Sequence, residues 1–119
     1  MDRLEAALNV SAPPNLAKAA EVAGCPAEGI RMLDSAGRIV RVEADLAWAA
    51  PTFHRLAATA LGIARREPLS PAALRDATGT SRRYVMPLIE DLNRRGILAR
   101  TPAGHMPGPR APSEPAAAK

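Results

Sequence analysis

Aromatic residues are almost missing from this chain of 119 residues: Trp48, Phe53 and Tyr84 are the whole set, 3% of the sequence. β-Sandwiches and barrels fill their cores with aromatic and β-branched side chains, so the composition argues against an all-β fold. Cysteine is reduced to Cys25, which rules out an internal disulfide and a cysteine-rich zinc site. A lone small thiol of this kind is read as core. No apolar run approaches the ~18 residues of a membrane helix. Asp2 and Glu5 interrupt the N-terminus where a signal peptide would need its apolar stretch. The expected setting is therefore the cytoplasm, with no membrane partner. Catalytic sets are absent as well. His54 and His105 are the only histidines, and no Ser/His/Asp spacing, H-E-x-x-H, nucleophile elbow or P-loop lysine motif occurs. No catalytic residue, metal ligand or cofactor is expected, and the chain is not read as an enzyme.

What is present is alanine, arginine and proline. Hydrophobic residues make up 47% of the chain, enough for a globular core, and alanine favours helix. The net charge of +4 hides an uneven distribution. Residues 1–50 carry 5 basic and 7 acidic groups, a net of −2. Residues 51–110 carry 10 arginines against 4 acids, a net of +6. Of the 16 basic residues, 14 are arginine, whose planar fork suits phosphate and base edges. A basic second half points to a nucleic-acid partner.

Hydrophobic spacing predicts two rounds of the same elements. In the first, Leu4, Ala7 and Leu8 share one face of a short helix that Pro13-Pro14 breaks. Asn15 caps a second helix with Leu16, Ala19, Ala20 and Ala23 inward, and Gly24 ends it. Pro26 opens a third, lined by Ile30, Leu33 and Met32 and stopped by Gly37. The period then changes to two over residues 38–43 and 46–49, a hairpin. In the second round, Phe53, Leu56, Ala57, Ala60, Leu61 and Ala64 mark a helix from Pro51 to about Arg66. Ser70-Pro71 starts a brief helix with Leu74 and Ala77 buried. Ser81 caps the next, with Val85, Leu88, Ile89 and Leu92 inward and a bend expected at Pro87. Residues 97–100 and 105–106 form a final hairpin. Aligning Gly37 with Gly96 brings Leu33 over Leu92 and Ile30 over Ile89, a weak internal repeat. The fold class is mainly α with small β-hairpin wings: tandem winged-helix (helix-turn-helix) domains over 1–50 and 51–110. Residues 111–119, rich in Ala and Pro, read as a disordered tail.

In a helix-turn-helix the start of the third helix faces nucleic acid. Free N–H groups and the dipole favour phosphate there. Ser81, Arg82, Arg83 and Tyr84 occupy that position in the second unit. Arg75 lies on the helix that crosses the phosphate backbone. Arg95 ends the third helix, and Arg100 and Arg110 lie on or after the wing. These eight residues are the expected nucleic-acid contacts. His105 is read as a solvated loop residue and His54 as a surface or core one.

The stretch Leu74-Arg75-Asp76-Ala77-Thr78-Gly79-Thr80-Ser81-Arg82-Arg83-Tyr84, through Leu88-Ile89-Glu90-Asp91-Leu92 to Arg94-Arg95-Gly96-Ile97-Leu98, resembles the last winged helix of SelB. SelB is the selenocysteine-specific translation elongation factor of bacteria. Residues 13–42 resemble the preceding winged helix more loosely. The resemblance implies a module that grips a hairpin in selenoprotein mRNA, so that the factor acts at a recoded UGA. It also implies the GTPase portion of the full-length factor and the ribosome as partners. No G-x-x-x-x-G-K-[S/T] occurs in this chain, so it would be the mRNA-binding end only. Two positions depart from the pattern. The wing reads Gly104-His105-Met106 where a basic residue is expected, and Arg83 stands where lysine is frequent. The rival reading is a winged-helix DNA-binding transcriptional regulator. A groove reader would carry polar residues over two exposed helical turns, whereas this helix turns apolar after Arg83. RNA loops and bulges fit that pattern better, because the A-form major groove excludes a helix. A third reading is a winged helix that binds only protein.

Overall fold

The computed structural model describes residues 2–112. In chain order the elements are α1 (Asp2–Leu8), α2 (Leu16–Ala23), α3 (Ala27–Ser35), β1 (Ile39–Glu43), β2 (Leu46–Ala49), α4 (Ala50–Ala64), α5 (Pro71–Thr78), α6 (Arg82–Arg94), β3 (Leu98–Thr101) and β4 (Gly104–Pro107). This is a tandem winged-helix fold: three helices and an antiparallel hairpin, twice over. The expected tail falls mostly outside the described residues. Of its first two members, Ala111 packs against the core and Pro112 O accepts from Arg65 Nη2.

Local chemistry explains most boundaries. Asn15 Oδ1 accepts from Lys18 N at 3.2 Å, and Ser70 Oγ from Ala73 N at 3.1 Å, so both side chains satisfy first-turn donors. Pro26 is the N-cap of α3 rather than its first helical residue. Its extended backbone leaves Ala27 to begin the helix. Two residues expected on inner faces lie elsewhere. Ala77 is exposed, its burial taken by Ala73 on the side of α5 that meets the core. Met32 is also exposed. α6 runs unbroken from Arg82 to Arg94 through Pro87. The ring removes only the bond that an N–H there would give to Arg83 O.

Strand β2 explains how the two units join. Side chains of a strand alternate between faces, and here both faces are covered: all four residues are buried. Ala47 and Ala49 point into a first core with Leu4, Leu8, Leu16 and Leu33. Leu46 and Trp48 point into a second, with Phe53, Leu74, Val85, Leu88 and Leu92. The first wing is thus a wall shared by two cores. The loop before α2 reinforces the seam. Ser11 O accepts from Trp48 Nε1 and from Thr80 Oγ1, both at 3.2 Å, and Pro13 O accepts from Tyr84 OH at 2.9 Å.

The second wing is also anchored. Leu69, just before α5, exchanges two backbone hydrogen bonds with His105, at 2.8 and 3.0 Å. Gly104 makes the approach possible. Its φ is +141°, and a Cβ there would stand 3.0 Å from Leu69 O and from Pro68 Cβ.

Candidate nucleic-acid interface

The N-terminus of α6 is an open cationic end. Ser81 has the extended backbone of an N-cap, yet its hydroxyl makes no capping bond, contrary to the sequence expectation. Its carbonyl accepts from Tyr84 N and Val85 N, both at 3.0 Å. The N–H groups of Arg82 and Arg83 therefore have no acceptor among the described residues. Unpaired N–H groups at a helix start carry the positive end of the dipole. Neither guanidinium makes an ion pair among the described residues. Arg82 extends along the helix to Met86 Sδ at 4.0 Å. Arg83 lies 5.5 Å over the ring of Tyr84. Tyr84 is half-buried, edge-on to Trp48 with ring centroids 6.4 Å apart, and its hydroxyl is given to Pro13 O. Its main engagement is the seam between units, which in turn holds Arg83 in place.

From Arg82 a stripe continues along α6 through Met86, Glu90 and Asn93, at the helical spacing that puts side chains on one face. Met86, Glu90 and Asn93 of this stripe, with the second wing, line a groove of about 740 Å³. Arg100 and His105, cross-strand partners in the wing, line it opposite Asn93. Asn93 Nδ2 lies 3.2 Å from His105 Nδ1 and donates to Ile89 O at 2.8 Å. Burial, and then the charge of Arg100, hold the His105 pKa below its ordinary 6.5. His105 is thus a half-buried strand residue, where the sequence reading had a solvated loop.

The other expected contacts are dispersed. Arg75 sits on α5, 3.3 Å from Asp76. Arg95 Nε donates to the buried Asp91 at 2.5 Å, and its guanidinium lies 5.2 Å over Phe53, facing α4. Its neighbour Arg94 donates to Asp91 at 3.2 Å and to Val42 O at 2.7 Å, reaching the first wing. Arg110 N donates to Gly96 O at 2.8 Å, and its side-chain carbons cover Gly96. That is the far end of α6, roughly 20 Å from Arg82 at 1.5 Å per residue. The structure therefore brings Ser81, Arg82 and Arg83 together at the start of α6, where Arg82 reaches Met86 at the edge of the groove that Arg100 lines. Arg95 and Arg110 stand apart. Met86, Glu90, Asn93 and His105 were missed as groove residues. Counting four, eight and eleven positions from Arg82 would have found the first three.

Among the described residues, no group of three or more His, Cys, Asp or Glu is placed to hold a metal ion. Nor is any helix among them long and apolar enough to cross a membrane.

Residues 63–106, from the end of α4 into β4, match the family model described as elongation factor SelB, winged helix. No curated protein matches the sequence. The mRNA-binding domain of elongation factor SelB from E. coli, solved in complex with SECIS RNA, superposes with a TM-score of 0.72 at 18% identity, over 90% of this chain and 92% of that one. The bacterial selenocysteine-specific elongation factor EF-Sec superposes with a TM-score of 0.70 at 15% identity, over 79% of this chain. This chain spans 16% of that protein's length.

Proposed function

We propose that this chain, whose residues 63–106 match the SelB winged helix, is the mRNA-hairpin-binding module of a selenocysteine-specific elongation factor. It tethers the factor to selenoprotein mRNA so that a UGA codon is recoded. The observation that carries this reading is the open end of α6: two N–H groups without an acceptor and two guanidiniums without an ion pair among the described residues, in a SelB-type domain. Phosphate is the ligand that such an end favours. RNA contact is assigned to residues 51–110, and the −2 charge of residues 1–50 leaves that half a supporting role. The GTPase portion and the ribosome are partners of the whole factor, in the cytoplasm. This chain carries out no turnover of its own.

Binding of a SECIS hairpin, an unrelated RNA hairpin and duplex DNA, followed across a salt series, tests the proposal. Arg82→Ala with Arg83→Ala leaves Val85, Leu88, Ile89 and Leu92 in the core, so the fold should persist by circular dichroism. Each lost phosphate contact should reduce the slope of log K against log salt by ~0.7–0.9. A folded double mutant with wild-type affinity and slope would remove α6 from the interface. Preference for duplex DNA would favour the regulator instead.

A further inference from the structure

The groove between α6 and the second wing holds a histidine where a SelB-like wing is expected to place a positive charge. Its environment makes it something else. The amide of Asn93 can be oriented without ambiguity. Ile89 O is a carbonyl and can only accept, so the atom 2.8 Å from it is the NH₂ nitrogen. The same nitrogen lies 3.2 Å from His105 Nδ1. An NH₂ group only donates, so Nδ1 must accept and the ring proton must sit on Nε2. Protonating Nδ1 would set two donors against each other. The backbone of His105 is locked on both sides, by Arg100 in β3 and by Leu69 before α5. Nε2 has no partner among the described residues and is not sealed from solvent.

We propose that His105 is an uncharged hydrogen-bond donor of the RNA-facing groove, its Nδ1 held by Asn93 and its Nε2–H offered to an acceptor atom of an unpaired nucleotide. Asn93 is the positioning residue that sets the tautomer. The inference rests on the hairpin-binding reading above. The charged groups lining the groove are Glu90 and Arg94 from α6 and Arg100 from β3. Burial disfavours a charged ring, and Arg100 opposes a second positive charge beside it. A neutral donor selects by geometry. It contributes nothing to counterion release, which depends on charge. The wing would therefore discriminate between hairpins, while the α6 end supplies the salt-dependent part of affinity.

Two measurements on the full chain test this. The first needs no RNA: long-range ¹⁵N–¹H NMR of the imidazoles at neutral pH. A neutral ring with the proton on Nε2 is expected for His105, with a mixture of tautomers in N93L. A ring protonated on Nδ1, or a cationic one, overturns the proposal. The second is binding of a SECIS hairpin and an unrelated hairpin across a salt series. H105A should weaken the SECIS complex about three- to tenfold, the size of one neutral hydrogen bond, with an unchanged salt slope. H105Q, whose side-chain NH₂ can stand in for Nε2–H, should recover most of the loss. If wild type binds the SECIS hairpin and H105A binds it equally, the contact is wrong and the hairpin reading survives. If wild type binds neither hairpin, the hairpin reading fails and takes the contact with it. A salt slope reduced in H105A would make His105 a charged phosphate contact and also overturn the proposal.

Discussion

At the scale of single residues, one proton should be visible in the stability of the fold. The pKa of His105 is held below 6.5 by burial and by Arg100. Between its lowered value and 6.5 the unfolded chain binds a proton that the folded chain refuses. Stability is therefore complete above 6.5, declines as pH falls through it, and levels off once the folded state also protonates. Urea midpoints of wild type and His105→Gln, taken from about pH 8 down to pH 5, isolate this group from the carboxylates. Wild type should lose more stability on acidification than the variant. Parallel curves would mean that the folded environment leaves His105 unperturbed. Tyr84 is a second single-residue case. Sequence reading offered its ring to RNA, but its hydroxyl is given to Pro13 O across the seam. Tyr84→Phe keeps the packing against Trp48 and should cost about 1 kcal/mol of stability by urea denaturation. A cost near zero would show the bond to be worth no more than the water it replaces.

Among the elements, the second wing depends on one backbone conformation. Gly104 at φ +141° turns β3 back as β4 and lets His105 pair with Leu69. A methyl group there meets Leu69 O and Pro68, and the conformation itself is one that residues with a Cβ rarely adopt. Gly104→Ala should destabilise the chain by on the order of 1–3 kcal/mol, measured by chemical denaturation. It should also displace the His105 ring from Asn93. A variant as stable as wild type would mean that the wing can move off Leu69 at little cost. Helix α6 shows how packing carries an element past a proline. Pro87 does lack the N–H that Arg83 O would accept, but the helix continues because Val85, Leu88, Ile89 and Leu92 are fully packed around it.

For the molecule as a whole, the decisive feature is that β2 belongs to both units. Its alternating faces put Ala47 and Ala49 in one core and Leu46 and Trp48 in the other. The second core takes Val42, Leu46 and Trp48 from the first half of the chain, and the same strand closes the first core, so unfolding should be a single cooperative transition. Trp48→Ala should lower the stability of the entire chain by about 3–5 kcal/mol, as expected for an aromatic removed from a packed core. Probes placed in α2 and in α6 should report the same midpoint. Two separated transitions would establish that the winged helices fold independently.

The sequence by itself determined the element order, the two hairpins, the caps at Asn15 and Ser70 and the segregation of charge into residues 51–110. These are local properties: periodicity, turn chemistry and the side chain's own capacity to cap a helix operate within a few residues. It also pointed to the end of α6, because a helix start is read from adjacent positions. Only the tertiary structure decided which arginines were free. Arg94 and Arg95 are neighbours that share Asp91, yet Arg94 also reaches Val42 O and Arg95 lies over Phe53. Tyr84 was claimed by Pro13, 71 residues away. The chemistry of His105 depends on an amide 12 residues distant in sequence and on a carbonyl that orients that amide. Whether a polar group is available to a ligand depends on which partners the fold brings to it, and contacts that distant in sequence leave no local pattern to read.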